Sequence, residues 1–170
     1  MKGTVFAWPD GPFPYPGSGH QWFGVDGREL QPDRIAMVRS AFDDIIGGEL
    51  KRTDFEGRLD RVAFVGVSQG AIIALDALAS GRWQIGALVT FAGLLPPIPV
   101  SASARNTDVL LVHGSQDQTI PPSETRRAAQ RLDAAGVMVD IHILPNVGHT
   151  VTSEGLELAR RFLIQKFAEH

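Results

Sequence analysis

The apolar run Val62-Ala63-Phe64-Val65 leads directly into the pentapeptide Gly66-Val67-Ser68-Gln69-Gly70. A helix-like stretch, Ala71-Ile72-Ile73-Ala74-Leu75-Asp76-Ala77-Leu78, follows at once. Buried strand, sharp turn and helix must therefore succeed one another with a serine at the apex. The two glycines let the strand and helix backbones approach closely while Ser68 is held strained and exposed. Its hydroxyl then stands at a helix N-terminus, where backbone N–H groups point at developing negative charge. That arrangement suits a nucleophile.

The flanking segments tell which sheet this strand belongs to. Thr4-Val5-Phe6-Ala7-Trp8 reads as a short buried strand, stopped by Pro9-Asp10-Gly11-Pro12. Residues 11–27 form a Gly/Pro-rich loop in which neither helix nor strand is expected. The loop carries Phe13, Tyr15, Trp22 and Phe23. Such aromatics want burial, so it reads as ordered, and a long ordered loop is more often functional than idle. Residues 32–47 read as a helix whose Ile35, Val38, Ala41, Phe42, Ile45 and Ile46 share a face. Strands are expected over residues 61–67, 85–91, 108–113 and 137–144. Helices are expected over residues 122–135, ended by Gly136, and 151–168. Alternating helices and continuously apolar strands predict an α/β fold: three layers, an open, mainly parallel sheet with helices on both faces. The 170 residues suit one domain over 1–170.

Composition removes several function classes. With a net charge of −3, and the Arg126-Arg127 and Arg160-Arg161 pairs reading as solvated helix surface, nothing favours a nucleic acid or an anionic membrane as partner. The absence of cysteine excludes disulfides, thiolate catalysis and Cys-ligated metals. No stretch approaches the ~18 apolar residues of a membrane span. The first residues lack a signal-peptide pattern, so a cytoplasmic location is expected.

In such a sheet, active-site groups gather at the C-terminal ends of the strands. Ser68 follows one strand; Asp117 lies just past another, in His113-Gly114-Ser115-Gln116-Asp117-Gln118-Thr119-Ile120-Pro121; His149 follows the last, in Asn146-Val147-Gly148-His149. Taken singly, each reads as an ordinary turn or loop residue. Together, in this order and each at a strand end, they read as a triad. A serine hydroxyl is a poor nucleophile until a base takes its proton. His149 would take it and later protonate the leaving group, while Asp117 orients the ring and stabilises the imidazolium. His113 reads as packed at a strand end, His142 as solvent-side, opposite Val137, Val139, Ile141 and Ile143, and His20 as a possible site-lining residue. There is no His-x-x-x-His pair and no phosphate-binding glycine loop, so neither a metal nor a cofactor is expected.

Three segments, Gly66-Val67-Ser68-Gln69-Gly70-Ala71, residues 113–121 and Gly148-His149, resemble the bacterial phospholipase/carboxylesterase family of α/β-hydrolases. That family includes the acyl-protein thioesterases. Gln69 after the nucleophile is more specific than the bare pentapeptide, and Gly19-His20-Gln21-Trp22-Phe23 resembles the family's Gln-Trp-Phe loop. The similarity runs from about Val5 to the C-terminus. It implies hydrolysis of carboxylic esters, sometimes thioesters or lysophospholipids, without a cofactor. Family members also begin with a strand ending in a His-Gly-x-Gly-type turn that gives one oxyanion N–H, the other coming from the residue after the nucleophile. Here Gln69 keeps its place, but only Met1-Lys2-Gly3 precedes the first strand, so the domain is expected to lack the usual N-terminal strands and oxyanion turn. Either residues 4–8 move inward to pair with residues 61–67, or another chain fills the gap. The first arrangement, allowed by a right-handed crossover, would put an N–H of Asp10 or Gly11 in the oxyanion position. A bared sheet edge also predicts a homodimer or higher oligomer on the N-terminal side of the sheet.

Trp22, Phe23, Leu94 and Leu95 are the candidate lining of an apolar acyl pocket, with ordinary loop packing as the competing reading. The expected activity is that of a serine esterase cleaving short to medium acyl esters through an acyl-enzyme. Two other readings stand beside it: a catalytically impaired remnant acting as a binding or interaction module, and a truncated chain.

Overall fold

A computed structural model describes residues 3–26 and 31–168. Its backbone divides into two compact units, Met1–Arg58 and Leu59–His170.

In the second unit, four strands form one parallel sheet in the order β3-β4-β5-β6: β3 (Ala63–Val67), β4 (Ala87–Phe91), β5 (Asp108–Gly114) and β6 (Val139–Leu144). Three helices cover it: α2 (Gln69–Ala79), α3 (Pro122–Ala134) and α4 (Ser153–Ala168). Alternation along the strands sends Leu88, Val109 and Leu111 into one core with Leu75, Leu78 and Leu132 of α2 and α3. Val89, Phe91, Leu110 and Val112 meet Ala159 and Phe162 of α4 on the opposite face. All five residues of β4 are buried, as a strand covered on both faces requires. The α/β architecture expected from the sequence is therefore present.

Several strands start later than the apolar runs do. Leu59–Arg61 is a 3-10 turn, and the N–H of Val62 closes it on the Leu59 carbonyl at 3.0 Å, so β3 begins at Ala63. Val137 gives its N–H to the Leu132 carbonyl at the end of α3, which delays β6 to Val139. On β6 the expected sorting of faces fails. Ile141 is exposed, while His142, expected on the solvent side, is half-buried on the face of Leu144, toward α4. An edge strand has neighbours on one side only, so an apolar alternation there does not guarantee burial.

The strand expected over residues 4–8 is not formed. Residues 4–8 carry no strand, and Val5, Phe6 and Trp8 are exposed. The rings of Phe6 and Trp8 stack on each other at 5.7 Å. A lone five-residue strand that ends at Pro9, which has no N–H to donate, lacks the packing to offset its ordering entropy. Among the described residues β3 is therefore an edge strand, and its Val65 and Val67 side chains are exposed.

The first unit departs from expectation in two further places. The Gly/Pro-rich loop contains a minimal hairpin, β1 (Phe13–Pro14) antiparallel to β2 (His20–Gln21). Tyr15 N–H closes it on the Gly19 carbonyl at 3.0 Å, and the Gln21 amide donates to the Pro14 carbonyl at 3.0 Å. The helix α1 (Pro32–Thr53) runs six residues beyond Gly47. Two helical glycines cost about 1 kcal/mol each, but the added turns bury Leu50. The stop comes at Asp54, whose backbone is left-handed (φ 62°), with the N–H of Phe55 on the Leu50 carbonyl. Of the expected face, Val38 and Phe42 are buried, and the Phe42 ring lies 5.4 Å from Trp22. Among the described residues no helix is long and apolar enough to cross a membrane.

Candidate active site

Ser68 sits at the end of β3 with φ 51° and ψ −115°, a backbone that L-residues rarely adopt. Neighbouring backbone holds it there: its N–H donates to the Phe91 carbonyl at 2.9 Å, and its carbonyl accepts from Ile72 at 3.0 Å. The tightness of the turn explains Gly66, where a Cβ would lie 2.5 Å from the Gly70 carbonyl oxygen. Gln69 begins α2 immediately after Ser68.

Asp117 hangs from the loop after β5. Ser115 N–H reaches the Leu144 carbonyl and Gln116 N–H the Val147 carbonyl, both at 2.8 Å, tying this loop to the one after β6. The Asp117 side chain is buried. One oxygen, Oδ1, accepts the N–H groups of Thr119 at 2.8 Å and Ile120 at 3.0 Å. The other, Oδ2, lies 2.7 Å from His149 Nδ1. Burial alone would raise the Asp117 pKa; the hydrogen bonds from His149, Ile120 and Thr119 outweigh it and hold the carboxyl below its ordinary range.

His149 follows a turn at Asn146, whose backbone is left-handed (φ 59°) and whose N–H donates to Ser115 Oγ at 3.0 Å. The turn crosses directly over the end of β5. A Cβ on Gly114 would lie 2.3 Å from the Val147 carbonyl oxygen and 2.4 Å from that of Gly148. The crossing leaves His149 Nε2 3.0 Å from Ser68 Oγ. An ionised carboxylate only accepts, so Nδ1 carries the ring proton and Nε2 presents its lone pair to the serine. The three residues singled out by sequence thus meet in one hydrogen-bonded chain, at the shared C-terminal ends of β3, β5 and β6.

The other candidates have these surroundings. Leu95 is buried in the core beneath α2 and α3 instead of facing open space, and Leu94 is half-buried. Their loop is clamped by Arg131, whose guanidinium donates to the carbonyls of Leu95 (3.1 Å), Pro96 (2.9 Å) and Ile98. Asp10, Gly11, His20, Trp22 and Phe23 belong to the first unit. There the exposed Asp10 carboxylate is 3.6 Å from His20 Nδ1, and Gly11 packs against the Gln21 backbone. Phe23 lines a shallow cleft of about 200 Å³ with Phe13, Gln21, Met37 and Val38. His113 is packed at its strand end as expected, with Nδ1 2.6 Å from Thr125 Oγ1 and Nε2 2.8 Å from the Ile120 carbonyl. Sequence reasoning missed its contact with Asp117, 3.0 Å from Nε2 to Oδ2. The signal was the four-residue spacing from the end of β5 into the loop that follows it.

The sequence profile of the phospholipase/carboxylesterase family matches residues 9–166. The match begins after residues 4–8, later than the resemblance traced from about Val5. Over 155 residues the chain is 25% identical to the esterase YpfH of Escherichia coli (strain K12), covering 90% of this chain and 66% of that protein. Over 162 residues it is 24% identical to acyl-protein thioesterase 1 of Gibberella zeae, covering 84% and 66% respectively. The chain therefore spans 66% of the length of these curated relatives. Among solved structures, the esterase PE8 aligns with a TM-score of 0.76 at 26% identity, over 94% of this chain and 77% of its own.

Proposed function

Because this chain belongs to the phospholipase/carboxylesterase family of α/β-hydrolases, we propose that it is a serine carboxylesterase acting on short to medium acyl esters. The supporting observation is the continuous chain from Ser68 Oγ to His149 Nε2 (3.0 Å) and from His149 Nδ1 to Asp117 Oδ2 (2.7 Å). Ser68 Oγ attacks the acyl carbonyl as its proton passes to His149 Nε2. The tetrahedral adduct collapses, the C–O bond to the alcohol breaks, and His149 returns that proton to the leaving alkoxide. Water then enters, gives a proton to His149 and attacks the acyl-enzyme. The acid leaves and Ser68 recovers its proton. Asp117, kept ionised by its donors, fixes the ring and offsets the imidazolium charge in both halves. The N–H of Gln69, at the positive end of α2, is the proposed oxyanion donor. No cofactor enters the scheme.

The test is turnover of p-nitrophenyl esters of increasing acyl length beside the Ser68→Ala variant. Replacing the nucleophile should lower kcat by at least about 1000-fold. A fluorophosphonate should label the unaltered chain and not the variant. Undiminished turnover in Ser68→Ala would refute the mechanism. A chain that neither turns over esters nor takes the label is the binding module. The proposal extends to a homo-oligomer joined at the β3 edge, where Val65 and Val67 are exposed. Light scattering that reads a monomer at micromolar concentration removes that part.

A further inference from the structure

We propose that Arg131 is a specificity-determining positioning residue: its guanidinium locks the loop after β4 into a fixed wall beside Ser68, and so sets which acyl lengths the site accepts. The inference rests on the serine esterase reading and deepens it. Phe91, the last residue of β4, is the parallel partner of Val67. The chain after β4 therefore leaves the sheet level with Ser68, whose N–H is bonded to the Phe91 carbonyl at 2.9 Å. Ala92 takes a left-handed backbone there (φ 51°), and its N–H is held by the Val112 carbonyl at 3.0 Å. Gly93 then passes so close to the first turn of α2 that a Cβ on it would lie 2.6 Å from the Ala71 Cβ. Leu94 follows directly, half-buried, as the first large side chain beyond the elbow.

The loop has little of its own to fix this path. Pro96, Pro97 and Pro99 have no N–H to donate, and the N–H of Ile98 turns back onto the Pro96 carbonyl at 2.8 Å. One side chain of α3 gathers the carbonyls instead. Arg131 Nη1 donates to the carbonyls of Leu95 at 3.1 Å and Pro96 at 2.9 Å, and Nη2 donates to that of Ile98. A planar guanidinium offers its donors in a rigid fork, so the carbonyls it joins are held at set positions relative to one another. Arg131 is itself half-buried on a helix whose Ala128 and Leu132 are core residues, which anchors the fork. Leu95, buried in the same core, pins the loop from below. Between the pinned Leu95 and the close-packed Gly93, the backbone of Leu94 has no room to retreat from a longer acyl chain. A fixed apolar wall discriminates by the methylene, about 10- to 200-fold for each one too many.

The experiment measures kcat/KM over a series of p-nitrophenyl esters from acetate to decanoate. Arg131→Met keeps a long apolar stem and removes every donor. It should narrow the ratio between the best ester and its longer homologues by at least about 10-fold. Arg131→Lys, a compact ammonium that cannot fork across the carbonyls, should fall between Arg131→Met and the unaltered chain. Leu94→Ala leaves the clamp in place and shortens the wall, and should move the optimum to a longer acyl chain. Circular dichroism checks the folding of each variant, and fluorophosphonate labelling of Ser68 checks that the elbow has formed. Should Arg131→Met fail to fold, Arg131→Lys and Leu94→Ala carry the test. A clamp that served the fold alone would lower kcat/KM by one common factor at every acyl length, and that result overturns the proposal. So does an acyl profile that the Arg131 variants leave where it was, or one already flat in the unaltered chain. An unaltered chain that neither turns over esters nor takes the label fails the esterase reading and this inference with it. An active, labelled chain whose profile ignores Arg131 removes the clamp alone.

Discussion

The two units use their apolar residues in opposite ways. In Leu59–His170 the strands stack in register and three helices close both faces, so that β4 is buried throughout. In Met1–Arg58 the hairpin has two residues a side, and Phe6, Trp8, Tyr15 and Val25 are left 57–83% exposed. Apolar content, then, does not order a segment. A surface on which to spread does, and a two-residue hairpin offers none. The chemistry sits where the backbone is over-determined: the strained Ser68 turn is affordable only because β3, β4 and α2 hold it on every side.

The strongest way to break this comparison is to make one substitution in both units. Gly114→Ala drives a Cβ into the Val147 and Gly148 carbonyls, both backbone. It should cost about 1–3 kcal/mol by overpacking. By shifting the His149 turn about 1 Å it should also lower kcat roughly 100-fold. Gly48→Ala, exposed on α1 with nothing within 4 Å of a new Cβ, should stabilise by about 0.5–1 kcal/mol through helix propensity and leave kcat alone. Thermal melts and p-nitrophenyl ester kinetics on both variants check the pair. Equal effects in the two units would dissolve the contrast.

A subtler contrast comes from acid. The Asp117 carboxyl is held below its ordinary range in the folded chain. Just below about pH 4, the unfolded chain therefore binds more protons than the folded one, and stability rises with pH there. The contribution is complete above about pH 4 and fades as pH falls through the lower, folded value. Urea unfolding of the unaltered chain and of Asp117→Asn should show a difference that shrinks on acidification below that point. A difference constant from neutral pH to about pH 3 would place the stabilisation elsewhere.

What could be read from the sequence follows the same division. The parallel sheet and the convergence of Ser68, Asp117 and His149 were legible because buried strands are continuous apolar runs and because glycines mark where backbones nearly touch. The extent of α1 was not. Gly47-Gly48 looks like a terminus, and only the burial of Leu50 and the left-handed turn at Asp54 decide otherwise. Residues 4–8 looked like a strand because five apolar or β-branched residues carry that propensity anywhere, whereas pairing depends on a neighbour that local composition does not encode. Leu95 looked like pocket lining because it stands in a proline-rich loop. The three-carbonyl grip of Arg131, over thirty residues away in sequence, accompanies its burial in the core.

Ser68 and His149 are 81 residues apart in the chain, and the base arrives from the loop after the outermost strand, β6. An incompletely folded chain that has formed the elbow but not yet docked that strand owns a serine with nothing to deprotonate it. On the proposed mechanism, the centre is silent in any chain that has not yet brought His149 to Ser68.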